Sequence, residues 1–318
     1  VHAVTIVDGA LAWSEHTDPV PGPGDLLVRV RAAGVCRGDL MQRDGMYPPP
    51  AGTTPPELPG LEVAGEVVGV DDGVRRFAVG DRVMAVVTGA GQATLAVVPE
   101  VVALPVPDGV SWAQAGGFPE NYTTAHDALF TQCELGMGER VCVHGAAGGV
   151  GTAAVELAVA AGCEVVATVR NEALRPGVAA LGATAVDPDG FGDHGPFDVV
   201  LELVGAVNMP ANLKALATGG RIAVIGVGAG FKAEVNLLAL MGARARIHGS
   251  TLRARPLGEK AAVAARMERH VVPLLDRQAL TVPLAATFPF ADAARAYERF
   301  AAGGKLGKIV LVDHPAAY

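Results

Sequence analysis

The stretch of the chain with the clearest chemical potential is VCVHGAAGGVGTAAVELAVAAGCEVVATV, residues 141–169. An apolar strand, a glycine cluster, a helical pattern and a second apolar strand follow one another over roughly 30 residues, the length of a βαβ unit. Gly148 and Gly151 would permit a tight turn and close helix–strand packing. The amides of Gly149, Val150 and Gly151 would open the helix, where unpaired N–H groups and the helix dipole favour a pyrophosphate. Ala146 stands where the GxGxxG pattern has its first glycine. The reading therefore rests on the flanking strands, and its alternative is a tight turn that binds nothing.

The end of the second strand selects between dinucleotides. An Asp or Glu there accepts hydrogen bonds from a ribose diol, whereas a 2′-phosphate wants a cation. The chain reads ATVRNEALRP over 167–176, with no acid before Glu172. Arg170 is the candidate clamp for the phosphate and Arg175 a more distant second, which points to NADPH over NADH. A plain surface arginine is the alternative.

Positioning these residues requires a parallel sheet. Apolar runs at 141–144, 164–169, 198–203, 221–227 and 246–250 alternate with helical patterns. Continuous apolar strands of this kind are buried on both faces. In GTAAVELAVAAG, Ala154, Leu157, Ala158 and Ala161 share one helical face. Residues 1–120 read instead as β-rich, with LLVRVRAAGV placing Val28, Val30 and Ala32 opposite Arg29 and Arg31. Further strands are expected at 4–7, 63–70, 82–87 and 94–98. The proline-rich segment 47–60 must be a loop, because its prolines cannot donate to a ladder. Towards the C-terminus, one helix is expected over 258–275, another over 290–302, and a closing strand over 308–312.

Composition narrows the function classes. The net charge of −8 gives no electrostatic reason to expect nucleic acid or an anionic membrane as partner. The cysteines Cys36, Cys133, Cys142 and Cys163 are widely separated, so a disulfide framework is not expected and reduced thiols in a cytoplasmic protein are. No signal peptide is expected from the first residues given, and no apolar run reaches the roughly 18 residues of a membrane span.

Set in order, GVCRGDLMQRDGMYPPP, LPGLEVAGEVVGV, FAVGDRV, PENYTTAHDAL, HGAAGGVGTAA, LGA and GKLGKIVLV resemble the medium-chain dehydrogenase/reductase superfamily, in its zinc-independent quinone oxidoreductase (zeta-crystallin-like) branch. The resemblance covers nearly the whole chain. It implies an α/β fold, a Rossmann doubly wound parallel sheet inserted into a GroES-like β-barrel-type catalytic domain. The catalytic domain would comprise residues 1–121 and 254–318, and the NADP(H)-binding domain residues 122–253, with a cleft where they meet. It also implies a homodimer, through edge strands of the Rossmann sheets.

Site residues carry over from the resemblance position by position. Thr124 matches a threonine beside the nicotinamide. Tyr47 matches a tyrosine near nicotinamide and substrate, able to orient a carbonyl or donate a proton; packing against the following prolines is its alternative. Lys308 matches a basic position near the cofactor phosphates, with a solvated lysine as the alternative, and Arg37 is a weaker phosphate candidate. His126 is read as a helix-surface residue in preference to a base. Cys36 stands in the substrate pocket where many members have Asn.

Metal is not expected. GVCRGD matches a segment whose cysteine ligates catalytic zinc in the alcohol dehydrogenases, but Leu61 stands where the second ligand, a His, would be. No cysteine lies near Glu120–Asn121, where the third would fall, and segment 87–100 lacks the four-cysteine structural lobe. Gly38 takes the place of the proton-relay hydroxyl. Without a Lewis acid, a quinone or an α,β-unsaturated carbonyl is the acceptor that needs least help, because conjugation spreads the incoming charge. The expectation is thus an NADPH-dependent oxidoreductase acting on a small quinone or enone. An enoyl-thioester reductase is a variant of it, and an NADP(H)-binding redox sensor or structural protein with little turnover is the alternative.

Overall fold

A computed structural model of the protein describes residues 1–313. The chain begins with the hairpin β1 (His2–Val7) and β2 (Ala10–Glu15), followed by β3 (Asp25–Val35) and helix α1 (Arg37–Arg43). After the proline-rich loop come β4 (Glu62–Val70), β5 (Arg82–Val86), β6 (Leu95–Pro99) and β7 (Ala103–Pro105). Two helices follow, α2 (Trp112–Gly117) and α3 (Pro119–His126). The middle of the chain holds β8 (Arg140–Val143), α4 (Gly149–Ala160), β9 (Glu164–Thr168), α5 (Arg175–Ala179) and β10 (Thr184–Val186). It continues with β11 (Phe197–Glu202), α6 (Met209–Lys214), β12 (Leu216–Val224), α7 (Leu237–Ala243) and β13 (Arg246–Gly249). The last elements are α8 (Leu257–His270), α9 (Val272–Asp276), β14 (Leu284–Pro289), α10 (Ala293–Ala301) and β15 (Lys308–Val312).

These elements form two compact units. Among the described residues, one comprises Val1–Thr123, Leu252–Gly303 and 308–313, the other Thr124–Thr251 with Gly304–Gly307. The first unit is organised by a seven-stranded sheet in the order β14-β15-β3-β4-β5-β7, with β6 also paired to β3. All its pairs are antiparallel except β14 with β15. β3 alternates as its sequence dictates, Val28, Val30 and Ala32 buried and Arg29 exposed, until Ala33–Val35, where every residue is buried.

The second unit is a six-stranded parallel sheet in the order β10-β9-β8-β11-β12-β13. Renumbered within the unit this is 3-2-1-4-5-6, the order in which the crossover connections reverse direction between the first and fourth strands. Helix α4 is buried from Gly151 through Ala158, whereas Ala161 lies beyond its end and is half-buried. The covered surface of α4 is wider than the face of Ala154, Leu157 and Ala158, because Thr152, Val155 and Glu156 are buried as well. The helix expected over 258–275 breaks at Val271, whose φ of −111° departs from the helix, and resumes with Pro273 in the first turn of α9. Proline cannot donate the bond that would carry α8 onward but fits a helix start.

Candidate functional site

In the second unit the glycine turn connects β8 to α4 as the sequence requires. Gly145 has φ +64°, and Gly148, with φ −75° and ψ 171°, is the N-cap of α4. Thr152 donates to the Gly148 carbonyl at 2.9 Å, opening the helical ladder and leaving the amides of Gly149, Val150 and Gly151 ahead of it. A Cβ on Gly151 would lie 2.5 Å from the Gly145 oxygen and 2.6 Å from the Ala146 Cα, so only glycine lets the helix start this close to the strand end. The turn is held from outside as well: the Gly307 amide donates to the Ala147 carbonyl at 2.9 Å and the Ala146 amide to that of Thr168 at 3.2 Å. Such a turn, with amides and a helix dipole directed outward, fits a dinucleotide pyrophosphate.

Beneath it lies a buried polar chain that sequence reasoning missed. The His144 ring meets the Thr168 hydroxyl through Nδ1 at 3.0 Å and Asn212 Oδ1 through Nε2 at 2.7 Å. Burial holds the imidazole pKa below its usual value, so the ring is neutral. Asn212 Oδ1 can only accept, hence Nε2 carries the proton and Nδ1 accepts from Thr168. Asn212 Nδ2 donates to Glu202 Oε2 at 2.7 Å, and Glu202 Oε1 accepts from the amides of Val204 at 2.6 Å and Gly205 at 2.8 Å. The chain ties the C-terminal ends of β8, β9 and β11 to α6. Its signal in the sequence is a polar residue closing each apolar run, VCVH, EVVAT and DVVLE.

The remaining expected residues of this unit separate. Arg170 is exposed just beyond β9. Arg175 is engaged elsewhere, its Nε donating to the Val169 carbonyl at 3.0 Å and its Nη2 pairing with Asp187. Thr124 is half-buried in α3. His126 is not a surface residue: it is buried, 5.2 Å from the Phe130 ring, because α3 runs directly into the buried π-helical turn Asp127–Gln132.

In the first unit, three expected residues converge around Gly38. A Cβ there would lie 2.7 Å from Leu61 Cδ1 and 3.4 Å from both Cys36 Sγ and Tyr47 Cε1. Cys36 is the N-cap of α1, and its amide donates to Asp39 Oδ2 at 2.8 Å; the other Asp39 oxygen accepts from Gly60 at 3.0 Å. Burial, reinforced by Asp39 and Glu120, pushes the Cys36 thiol well above its usual range. Beside that thiol the Leu61 side chain offers only a methyl group, which cannot coordinate a metal. Among the described residues no group of three or more His, Cys, Asp or Glu side chains is arranged to hold a metal ion.

Tyr47 is half-buried, and burial raises its phenol pKa against the opposing effect of Arg253. It is therefore a donor at neutral pH, as the sequence suggests. Arg37 is exposed. Lys308, carried over as a cation for cofactor phosphates, is buried and committed to carboxylates instead. Its Nζ pairs with Glu62, lies 3.7 Å from Glu120 and donates to Asn121 Oδ1 at 3.3 Å. Burial alone would lower the Lys308 pKa, but Glu62 and Glu120 more than reverse this. A Cβ on Gly34 would collide with the Glu62 carboxylate and the Lys308 side chain, so that glycine makes room for the pair.

Residues 22–133 match the family described as alcohol dehydrogenase GroES-like domain, and residues 181–311 the family described as zinc-binding dehydrogenase. The chain is 38% identical over 68% of its length to a stretch of a polyketide synthase of Streptomyces halstedii, and spans 4% of that protein. It is 30% identical to a quinone oxidoreductase of Rattus norvegicus, with 94% of this chain and 92% of that one aligned. A mycobacterial protein solved in complex with NADPH superposes with a TM-score of 0.84 at 27% identity, over 98% of this chain and 99% of that one. Near end-to-end agreement in sequence and in fold assigns the chain to the medium-chain dehydrogenase/reductase superfamily of oxidoreductases, in its quinone oxidoreductase branch.

Proposed function

We propose that this oxidoreductase uses NADPH to reduce a quinone or another α,β-unsaturated carbonyl without zinc. When bound, the nicotinamide supplies the hydride. The chain's own contribution is to bind, orient and donate. The amides of Gly149, Val150 and Gly151 receive the pyrophosphate, Arg170 receives the 2′-phosphate, and Thr124 lies beside the nicotinamide. Tyr47 donates a hydrogen bond to the carbonyl oxygen as negative charge builds there. Cys36, as a neutral thiol, lines the pocket with Leu61.

The observation that carries this reading is the wall around Gly38: where a metal would need a donor, Leu61 presents a methyl group 2.7 Å from the position of a Gly38 Cβ. The NADPH complex of the mycobacterial relative supports the cofactor and the rat relative the acceptor class. A second acceptor, an enoyl thioester, is favoured by the match to a polyketide synthase.

The same reading includes a homodimer. β13 is the last strand of the parallel sheet, and Ile247 on it is exposed, as are Leu237, Leu238 and Met241 on α7. An unpaired edge beside exposed apolar side chains suits a second copy that continues the sheet.

Anaerobic oxidation of NADPH and NADH, followed with a small quinone, an enone and an enoyl thioester, tests the proposal. Rapid turnover preferring NADPH is expected with a conjugated acceptor, and the fastest acceptor identifies the class. Tight NADPH binding with no turnover on any of them would instead make the protein a redox sensor or structural protein.

A further inference from the structure

Arg253 is a buried arginine, 5% exposed, that the proposed reaction leaves unused. It stands in TLRARP, between β13 and α8, and packs within the first unit. Its Nε donates to the Thr88 carbonyl at 2.8 Å, its Nη2 to Gln42 Oε1 at 2.5 Å and its Nη1 to the Tyr47 carbonyl at 2.5 Å. The guanidinium carbon also lies 4.9 Å from the centroid of the Tyr47 ring.

These contacts converge on a segment with little support of its own. Tyr47 is followed by three prolines, which bring no amide donors to fasten the chain. Its own amide donates to Met41 at the long distance of 3.2 Å. Gln42, gripped by Arg253, donates in turn to the carbonyls of Pro56 at 2.8 Å and Leu58 at 3.2 Å. One planar fork thus joins the Tyr47 backbone, α1, the far side of the proline loop and the chain after β5. Its cation also faces the phenol ring. Lysine, a single point charge, cannot span three acceptors in these directions.

We propose that Arg253 is the positioning residue for Tyr47, holding the phenol so that its hydroxyl is presented to the acceptor's carbonyl oxygen. This rests on the role given to Tyr47 above. A hydroxyl contributes to a transition state only when it is held in place beforehand. Arg253 touches neither acceptor nor cofactor in this account and acts only through Tyr47.

The test is a double-mutant cycle of Tyr47→Phe and Arg253→Met, with turnover of a quinone and an enone measured alongside the NADPH dissociation constant. Tyr47→Phe is expected to lower kcat about 100-fold, the scale of a lost proton donor. Arg253→Met should lower kcat at least about 10-fold with NADPH affinity unchanged. The double variant should be no slower than Tyr47→Phe, within about 2-fold. Arg253→Lys should resemble Arg253→Met, and it carries the test if the Met variant does not fold. Multiplicative losses, or loss of NADPH affinity in step with kcat, would overturn the positioning role while leaving Tyr47 in place. A fully active Tyr47→Phe would remove the Tyr47 role itself, and this proposal with it.

Discussion

Lys308 and Glu62 form an ion pair whose side chains are 3% and 1% exposed, beneath a glycine, Gly34, that leaves them room. Removing either partner leaves the other ionisable group buried without the interaction that offsets its desolvation, at a cost of up to roughly 3–5 kcal/mol. Lys308→Met should therefore lower the urea midpoint substantially, and the Glu62→Gln/Lys308→Met pair should be less damaging than the two single changes combined.

The same pair sets a pH dependence. Burial raises the Glu62 carboxyl from 4.5 to about 7, although Lys308 opposes it. A folded-state pKa above the unfolded one means that the folded protein holds the proton more tightly. That contribution to stability is full below pH 4.5 and is lost as pH rises to about 7. Glu62→Gln should flatten this part of the stability profile, measured as urea midpoints between those limits. An unchanged slope would assign it to other groups.

Gly151→Ala forces a methyl to within 2.5 Å of the Gly145 oxygen. Overpacking of this kind costs about 1–3 kcal/mol and must displace the turn. NADPH affinity should fall at least about 10-fold in fluorescence titration, since 1.4 kcal/mol of lost binding is tenfold. Gly148→Ala, whose Cβ would meet only the Gly145 oxygen at 3.4 Å, should be far milder.

Arg170→Ala should weaken NADPH binding by roughly 10- to 100-fold, the value of one hydrogen-bonded charge of about 1.5–3 kcal/mol. NADH binding should not change. Equal loss for both cofactors would move the 2′-phosphate contact elsewhere. Arg175 is a poor substitute, because Val169 and Asp187 already occupy it.

Leu238→Lys and Ile247→Lys place charge on the exposed apolar strip beside the β13 edge. Sedimentation should show a dimer for the unaltered chain and a monomer for the double variant, with its cofactor affinity retained. A monomer in both cases would show that the edge serves another purpose.

The glycine turn of the second unit was legible because it is local. The glycine turn, its flanking strands and Arg170 lie within 30 residues of one another in sequence, and spacing alone dictates the turn. Strand β3 was legible from alternation, and the proline loop from its missing donors. Strand β14 was not: LAATFP is short, ends in proline, and owes its place to parallel pairing with β15.

The sequence by itself determined the order of the main elements and the position of the glycine turn, since each depends on residue type at a known spacing. Tertiary structure alone decided the partners of charges far apart in the chain. Lys308 reads in GKIVL as a cation for cofactor phosphates and finds Glu62, 246 positions away, while Arg253 reaches Tyr47 across 206. His126 reads as a surface residue until a π-helical turn buries it, and His144, Asn212 and Glu202 become one chain only when three strand ends and a helix meet. A buried polar group must find a partner wherever the fold brings one, and no local pattern carries that address.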